Sequence, residues 1–238
     1  MRAAGSALIS AAVLLAAHAA PAVSVFPQGR LLFPVIDRID ADGMIALTFD
    51  DGPDRGLDEF LKVLEKYGAR ATFFIAGEQV EDDPGKLKEI VSHGHEIGIH
   101  CYRHRNHLRL PPGPSVEDMR RARGIIEETA ECTTRFFRPP YGVFNLASWL
   151  EASQQGWERV LWTRWGRDWE ARATPWTIAN EIGYPEAGEI LLLHDSDRYA
   201  APGSWQQSLK ALPILLERAS SLGSRVCAIG ELLEARGC

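Results

Sequence analysis

Met44-Ile45-Ala46-Leu47-Thr48-Phe49-Asp50-Asp51-Gly52-Pro53 is the stretch that decides the fold. From Met44 to Phe49 the run is apolar or β-favouring, with no charged break. That pattern suits a strand buried on both faces of a parallel sheet. Two aspartates then stand where the strand ends, ahead of a Gly-Pro that turns the chain. In parallel α/β folds the chemistry sits just past the carboxyl ends of the strands. The pair could simply build the turn, but its position also marks a candidate site.

The alternation continues outward from this strand. Phe60, Leu61, Leu64 and Tyr67 recur at helical spacing and stop at Gly68. Ala71–Ile75 is the second strand, and Pro84–Ser92 reads as a helix with proline in its first turn. Glu96–Ile99 is the third strand. Ser115-Val116-Glu117-Asp118 resembles a capping box opening a helix that runs to Glu128. Arg135–Arg138 is the fourth strand, stopped by Pro139 and Pro140, and Val160–Thr163 is the fifth. A helix near Trp176–Ile182 precedes the sixth strand, Glu189–Leu193. A helix over Trp205–Ser221 and a strand near Arg225–Ile229 complete the series. Seven strands interleaved with helices predict a single α/β domain with a parallel sheet. A barrel and an open sheet fit this pattern equally.

Composition narrows the class. A chain of 238 residues with 45% apolar and 24% charged residues is neither disordered, collagenous nor a coiled coil. With 26 basic and 32 acidic side chains the formal charge is −6, which offers no electrostatic footprint for nucleic acid and is compatible with a neutral sugar polymer. Four cysteines are too few for a disulfide-built scaffold at this length. Residues 1–20 have a basic start, an alanine-rich apolar run and small residues before Pro21, the pattern of a signal peptide. An uncleaved N-terminal membrane anchor is the second reading, and a helix packed on the domain is the third. Secreted or anchored placement outside the cytoplasm is therefore expected, with cytoplasmic placement as the alternative. Residues 21–42 read as a connecting segment and 43–238 as the domain that carries the chemistry.

Polar residues fall at one end of the predicted sheet. Asp50 and Asp51 follow the first strand, and His100 and His104 follow the third. Arg138 ends the fourth, Asp168 lies beyond the fifth, and His194 ends the sixth. Each alone could be a turn or hydrogen-bonded loop residue. Together they are the groups that metal-assisted hydrolysis requires. His100 and His104 are four apart, so on a helical turn both rings would share one face and one ion with Asp51. Two imidazoles and a carboxylate leave coordination positions open for water and substrate. Zinc is the first expectation, and cobalt, nickel and iron suit the same donors. His93, His95 and His107 have no partner at ligand spacing and are read as structural or peripheral.

These residues carry a family resemblance. Thr48-Phe49-Asp50-Asp51-Gly52-Pro53 resembles the first motif of the polysaccharide deacetylases, the carbohydrate esterases related to rhizobial chitooligosaccharide deacetylase. His100-Cys101-Tyr102-Arg103-His104 has the spacing of their histidine motif, and Arg138-Pro139-Pro140-Tyr141 resembles the third. Asp168-Trp169 resembles the end of the fourth motif and Leu192-Leu193-His194 the fifth, all in family order. The resemblance implies a deformed (β/α) barrel of about seven parallel strands. It implies metal-dependent removal of N-acetyl or O-acetyl groups from an acetylated glycan, by an enzyme expected to be a monomer.

The same resemblance distributes the roles. Asp50 would be the general base, with Arg138 paired to it, and Asp51, His100 and His104 would hold the ion. The Tyr141 backbone N–H would help hold the oxyanion, and His194 would be the general acid. Asp168 would tune that acid or steady Arg138, while Trp169 and Leu192 would line the pocket for the acetyl methyl. Three positions depart from the pattern. Trp165 stands where the family usually has a second aspartate, and Cys101 and Arg103 replace small hydroxyl residues between the histidines. Arg103, Arg105, Arg164 and Arg167 would either receive an anionic sugar or lipid-linked phosphate, or pair with acids such as Asp197. If the chain is exported, a Cys227–Cys238 bridge is one expectation. Two other functions fit the fold: a small-molecule amidase related to ureide metabolism, and a non-catalytic sugar-binding relative. Retention of Asp50 and His194 argues against the latter.

Overall fold

The computed structural model describes residues 2–236. Helix α1 (Arg2–Ala19) leads into two 3₁₀ turns, Ala20–Val25 and Pro27–Leu31. The alternation then begins with β1 (Met44–Asp50), α2 (Leu57–Lys66), β2 (Thr72–Ala76), α3 (Gly77–Asp82), α4 (Pro84–Ser92) and β3 (Glu96–Cys101). It continues with α5 (Pro112–Ala130), β4 (Phe136–Phe137), α6 (Leu146–Gln154), β5 (Glu158–Arg159) and β6 (Arg164–Trp165). It ends with α7 (Pro175–Ile182), β7 (Ile190–His194), α8 (Ser204–Ser221), β8 (Arg225–Cys227) and α9 (Ile229–Ala235).

All strands pair in parallel, in the order β5-β4-β3-β2-β1-β7-β6. The eighth, β8, pairs with Met44–Ala46 of β1, below the level where Thr48–Asp50 pair with β2. The two ends of this order, β5 and β6, are neighbours in sequence. Val160 N–H donates to Phe137 O on β4, and Thr163 N–H donates to Ile190 O on β7. One stretch thus bonds both edges and closes the sheet into a deformed barrel rather than leaving it open. The sequence predicted a single strand over Val160–Thr163. Those residues are instead the seam between two short strands, because they must serve two edges at once.

The segment before β1 is part of this seam. Ile36 N–H donates to Arg159 O, and Leu161 N–H donates to Ile36 O. Ile39 is buried and its N–H donates to Gly188 O. Residues 21–42 therefore pack on the barrel along part of their length. Helix α1 rests more lightly, with His18 Nε2 donating to Leu108 O at 3.2 Å while Val13, Leu14 and Leu15 stay exposed. No helix among the described residues is long and apolar enough to cross a membrane.

Alternation along the strands sorts the core into two layers. Leu47, Phe49, Phe73, Ile75, Ile99 and Leu193 face the helices. Ala46, Phe74, Phe136, Ile190 and Cys227 face the interior, whose lower end is filled by Ile39, Ile229 and Leu232. The predicted last strand stops at Cys227, because Ile229 already begins the helix that plugs the barrel. The predicted capping box is also corrected. Helix α5 opens at Pro112, so Ser115 and Asp118 lie within it and make tertiary bonds. Helices α3 and α6 were not anticipated. The first is too short for periodicity to show, and the second is announced only by the Asn145–Ser148 capping box. Cys101, Cys132 and Cys227 are free thiols, and Cys238 lies outside the described residues.

Candidate metal and acid–base site

Register builds the centre of the site. Asp50 on β1 is the register partner of His194 on β7, and Thr48 is the partner of Leu192. Neighbours in a parallel ladder share a face, so these four side chains point together into the upper barrel. Beyond β1 the chain turns sharply: Asp51 adopts φ 77°, and the Gly52–Pro53 peptide is cis. A left-handed non-glycine residue costs on the order of 1–3 kcal/mol and is found where function holds it. Gly52 runs against the Asp195 carboxylate, where a Cβ would collide.

His100 and His104 converge on Asp51, although no helical turn joins them. His100 lies in β3 and His104 in the loop after it. The chain bends because Asp118 of α5 clamps that loop. Its carboxylate accepts from Tyr102 N–H at 2.8 Å and from the Arg105 guanidinium at 2.6 Å. His100 Nε2 and His104 Nε2 then lie 3.3 and 3.5 Å from Asp51 Oδ1. His100 Nδ1 donates to Arg138 O at 2.7 Å, a carbonyl that can only accept, which leaves Nε2 as the ring atom facing Asp51.

This constellation fits a divalent cation. One ligand atom from each of Asp51, His100 and His104 lies within 4.8 Å of the others. Asp51 Oδ1 and His104 Nδ1 are buried without hydrogen-bond partners. Burial holds the His104 pKa down at about 4, which keeps the imidazole in its neutral, ligating form. Burial alone would raise the Asp51 pKa. A hydrogen bond with His100 and the electrostatic pull of the surrounding histidines overcome it and hold the carboxyl well below the usual range.

Two ion pairs flank the trio. Arg138 is fully buried. It donates to Asp50 Oδ1 at 2.6 Å, to Thr48 Oγ1 at 2.8 Å and to Leu161 O at 3.0 Å. Its guanidinium also lies 4.0 Å from the Phe74 ring centroid. Opposite, His194 Nδ1 meets Asp168 Oδ1 at 2.9 Å, while Asp168 Oδ2 accepts from His194 N–H at 2.7 Å and Ser208 Oγ at 2.6 Å. Burial disfavours the His194 cation, but the Asp168 charge and hydrogen bond prevail and raise its pKa to about 10. Asp168 thus serves His194 and makes no contact with Arg138. Asp195 beside it is buried with both oxygens unpartnered, and burial lifts its carboxyl well above the ordinary range.

Every expected site residue is found here. Asp50, Asp51, His100, His104, Tyr141, Trp169, Leu192 and His194 line a pocket of about 260 Å³, with Arg138 and Asp168 behind it. Tyr141, at φ 61°, lays its ring edge-on to His104 at 4.6 Å. Trp169 stands edge-on to His194 at 5.4 Å. Four contributors went unanticipated. Tyr199 stacks on His104 at 4.7 Å, Trp162 lines the pocket, Thr48 holds Arg138 and Ser208 holds Asp168. Thr48 could have been found from strand alternation, two residues before Asp50; the other three have no such spacing. Of the remaining histidines, His107 is buried against Phe137 and His95 accepts from Ala71 N–H.

The arginines around the rim are matched by acids. Arg103 faces Glu78 at 3.5 Å, Arg105 Asp118 at 2.6 Å, Arg164 Glu189 at 2.9 Å and Arg167 Glu181 at 3.4 Å. Asp197 pairs with Arg55 instead, at 2.8 Å.

Residues 37–160 match the family model described as polysaccharide deacetylase. The peptidoglycan-N-acetylglucosamine deacetylase of Bacillus cereus is 32% identical over 196 residues, spanning 80% of this chain and 88% of that protein. The chitooligosaccharide deacetylase of a Bradyrhizobium species is 29% identical over 153 residues, 63% of this chain and 70% of that protein. The crystal structure of a peptidoglycan N-acetylglucosamine deacetylase superposes with a TM-score of 0.77 at 28% identity, covering 83% of this chain and 92% of that chain.

Proposed function

The chain belongs to the polysaccharide deacetylase family and is a glycan deacetylase, and on that premise we propose that it hydrolyses the N-acetyl groups of an aminosugar polymer such as peptidoglycan, with zinc as its ion. The observation that carries this reading is the juxtaposition of the Asp51–His100–His104 trio with an Asp50–Arg138 pair on one side and a His194–Asp168 pair on the other. Neither a turn nor a packed core needs two such pairs around three converging ligands.

Asp51, His100 and His104 would hold the cation. When bound, it lowers the pKa of a water towards neutrality and polarises the acetyl carbonyl. Asp50 then accepts the proton of the attacking water, and Arg138 and Thr48 fix which carboxylate oxygen is free to do so. The Tyr141 N–H supports the oxygen on which negative charge gathers. His194 uses Nδ1 on Asp168, so Nε2 gives its proton to the departing amine. Water and the amide are consumed, and acetate and a free amine leave. Trp169 and Leu192 exclude water around the acetyl methyl. The apolar N-terminal helix supports a place outside the cytoplasm, secreted or held at a membrane surface. The test is acetate release from peptidoglycan and from chitin oligomers, before chelation, after it and after zinc is returned. Activity should vanish and recover. Release from no glycan, or undiminished turnover in metal-free protein, would refute the proposal.

A further inference from the structure

We propose that Tyr199 is a positioning residue for the metal centre, holding the His104 imidazole in its ligating orientation in place of the hydrogen bond that His104 lacks; this rests on the metal-dependent reading of the site. A ligating histidine is ordinarily oriented by a hydrogen bond at its other ring nitrogen. His100 has one, from Nδ1 to Arg138 O at 2.7 Å. His104 does not: its Nδ1 is buried and without a hydrogen-bond partner among the described residues. It also stands in a loop rather than on a strand, so its backbone fixes the ring less firmly. Aromatic contact takes over. The Tyr199 ring stacks on His104 with centroids 4.7 Å apart and planes at 17°. Tyr141 meets the same imidazole edge-on, at 4.6 Å and 61°. A ring held on these two sides cannot swing about its Cβ–Cγ bond without driving an edge into a neighbour.

Tyr199 is itself held from α3. Its hydroxyl donates to Glu78 Oε1. Glu78 Oε2 faces Arg103 at 3.5 Å, and Glu78 N–H donates to Tyr102 O at 3.1 Å. One residue thus grips both the loop that carries His104 and the ring that covers it. Gly77 permits the close approach, since a Cβ there would come within 3.2 Å of the Tyr102 ring and 3.3 Å of the Ala122 backbone. Asp82, at the far end of α3, pairs with Arg198 at 2.6 Å and ties the same loop to the helix by a bond that does not pass through Tyr199. The two bonds separate a role in orienting His104 from a role in merely holding the loop.

The experiment measures affinity for Zn²⁺ and Co²⁺ by competition with a chromophoric chelator, in the parent, Tyr199→Leu, Tyr199→Ala, Tyr199→Phe and Arg198→Ala. The visible spectrum of each Co²⁺ form reports ligand geometry without turnover. Tyr199→Leu and Tyr199→Ala should weaken metal binding about tenfold, the low end of what losing an outer partner does to a metal site, and should alter the Co²⁺ spectrum. Whichever of the two melts like the parent without metal carries the comparison. Tyr199→Phe keeps the ring and loses only the bond to Glu78, so it should keep the parent spectrum and lose no more than about threefold in affinity. Arg198→Ala loosens the same loop and should leave affinity and spectrum unchanged. Parent-like affinity and spectrum without the Tyr199 ring overturn the proposal. So does a Tyr199→Phe protein no better than Tyr199→Leu, or an equal loss in Arg198→Ala. A parent that binds neither ion sinks the metal-dependent reading and this proposal with it. A parent that binds tightly beside a ring-less variant that binds as tightly removes the positioning role alone.

Discussion

Replacing Asp168 with asparagine should bring down the alkaline limb of the pH–rate profile. Asp168 touches no substrate atom in the proposed reaction. It acts on His194, through Nδ1 at 2.9 Å and the backbone N–H at 2.7 Å. Burial of His194 disfavours the imidazolium, and the Asp168 charge and hydrogen bond reverse that and lift the pKa to about 10. A general acid works only while protonated, so the parent keeps its acid well into alkaline solution. Asparagine keeps the shape and removes the charge. Burial then pushes the ring to or below the ordinary value of about 6.5. At pH 8 such a ring is only about 3% protonated, a loss of roughly 30-fold in competent enzyme. Most of it should return near pH 5.5. A bound cation shifts both enzymes alike, so the difference between their profiles is what counts. Ser208→Ala removes one bond to the same carboxylate, at 2.6 Å, and should move the limb far less. The assay is acetate release from an N-acetylated oligosaccharide from pH 5 to 10, with metal content checked at each end. Superimposable limbs for parent and Asp168→Asn would refute His194 as the acid held by Asp168.

Further outcomes follow from the same contacts. Asp50→Asn should keep its metal and lose about 10²–10⁴-fold in kcat, whereas Asp51→Asn should lose metal as well; metal analysis beside kinetics separates them, and the opposite pattern reverses the roles. Arg138→Met should lower stability by about 3–5 kcal/mol in urea, because it strands a buried carboxylate, and adding Asp50→Asn should restore part of the loss. Burial holds the His107 pKa down at about 4, so between pH 6.5 and 4 the unfolded chain binds a proton that the folded chain refuses. Stability therefore falls as pH falls through that window, by about 3 kcal/mol from this group. In metal-free protein, His107→Phe should flatten that decline in melting temperature, and an equally steep decline would remove His107 as a cause.

Much of this is legible in the amino-acid sequence. The Met44–Phe49 run gave β1 because a strand buried on both faces has no polar interruption, and the charged residues just past strand ends gave the site. What stayed hidden was tertiary. The spacing of His100 and His104 suggests a helical turn, whereas their convergence comes from a loop held by Asp118, whose place in the sequence suggests only a helix cap. Barrel closure was equally invisible, because periodicity reports how one segment buries itself and not which two edges it joins. Tyr199 and Ser208 reach the site from a loop and from α8, with no fixed offset from any motif. The arginines could be counted in sequence, but only geometry pairs them with their acids.

The closing stretch ties the wall of the pocket to folding. Residues 158–165 bond both sheet edges through their backbone while Trp162 and Trp165 face the catalytic pocket. Drift in these side chains can retune recognition, because the hydrogen bonds that close the barrel belong to the main chain. Insertions or deletions cannot, since one residue more or less would unlatch an edge. Lineages built on this seam should therefore diversify in glycan preference by substitution at constant length here, and leave changes of length to the loops around Tyr141 and Tyr199.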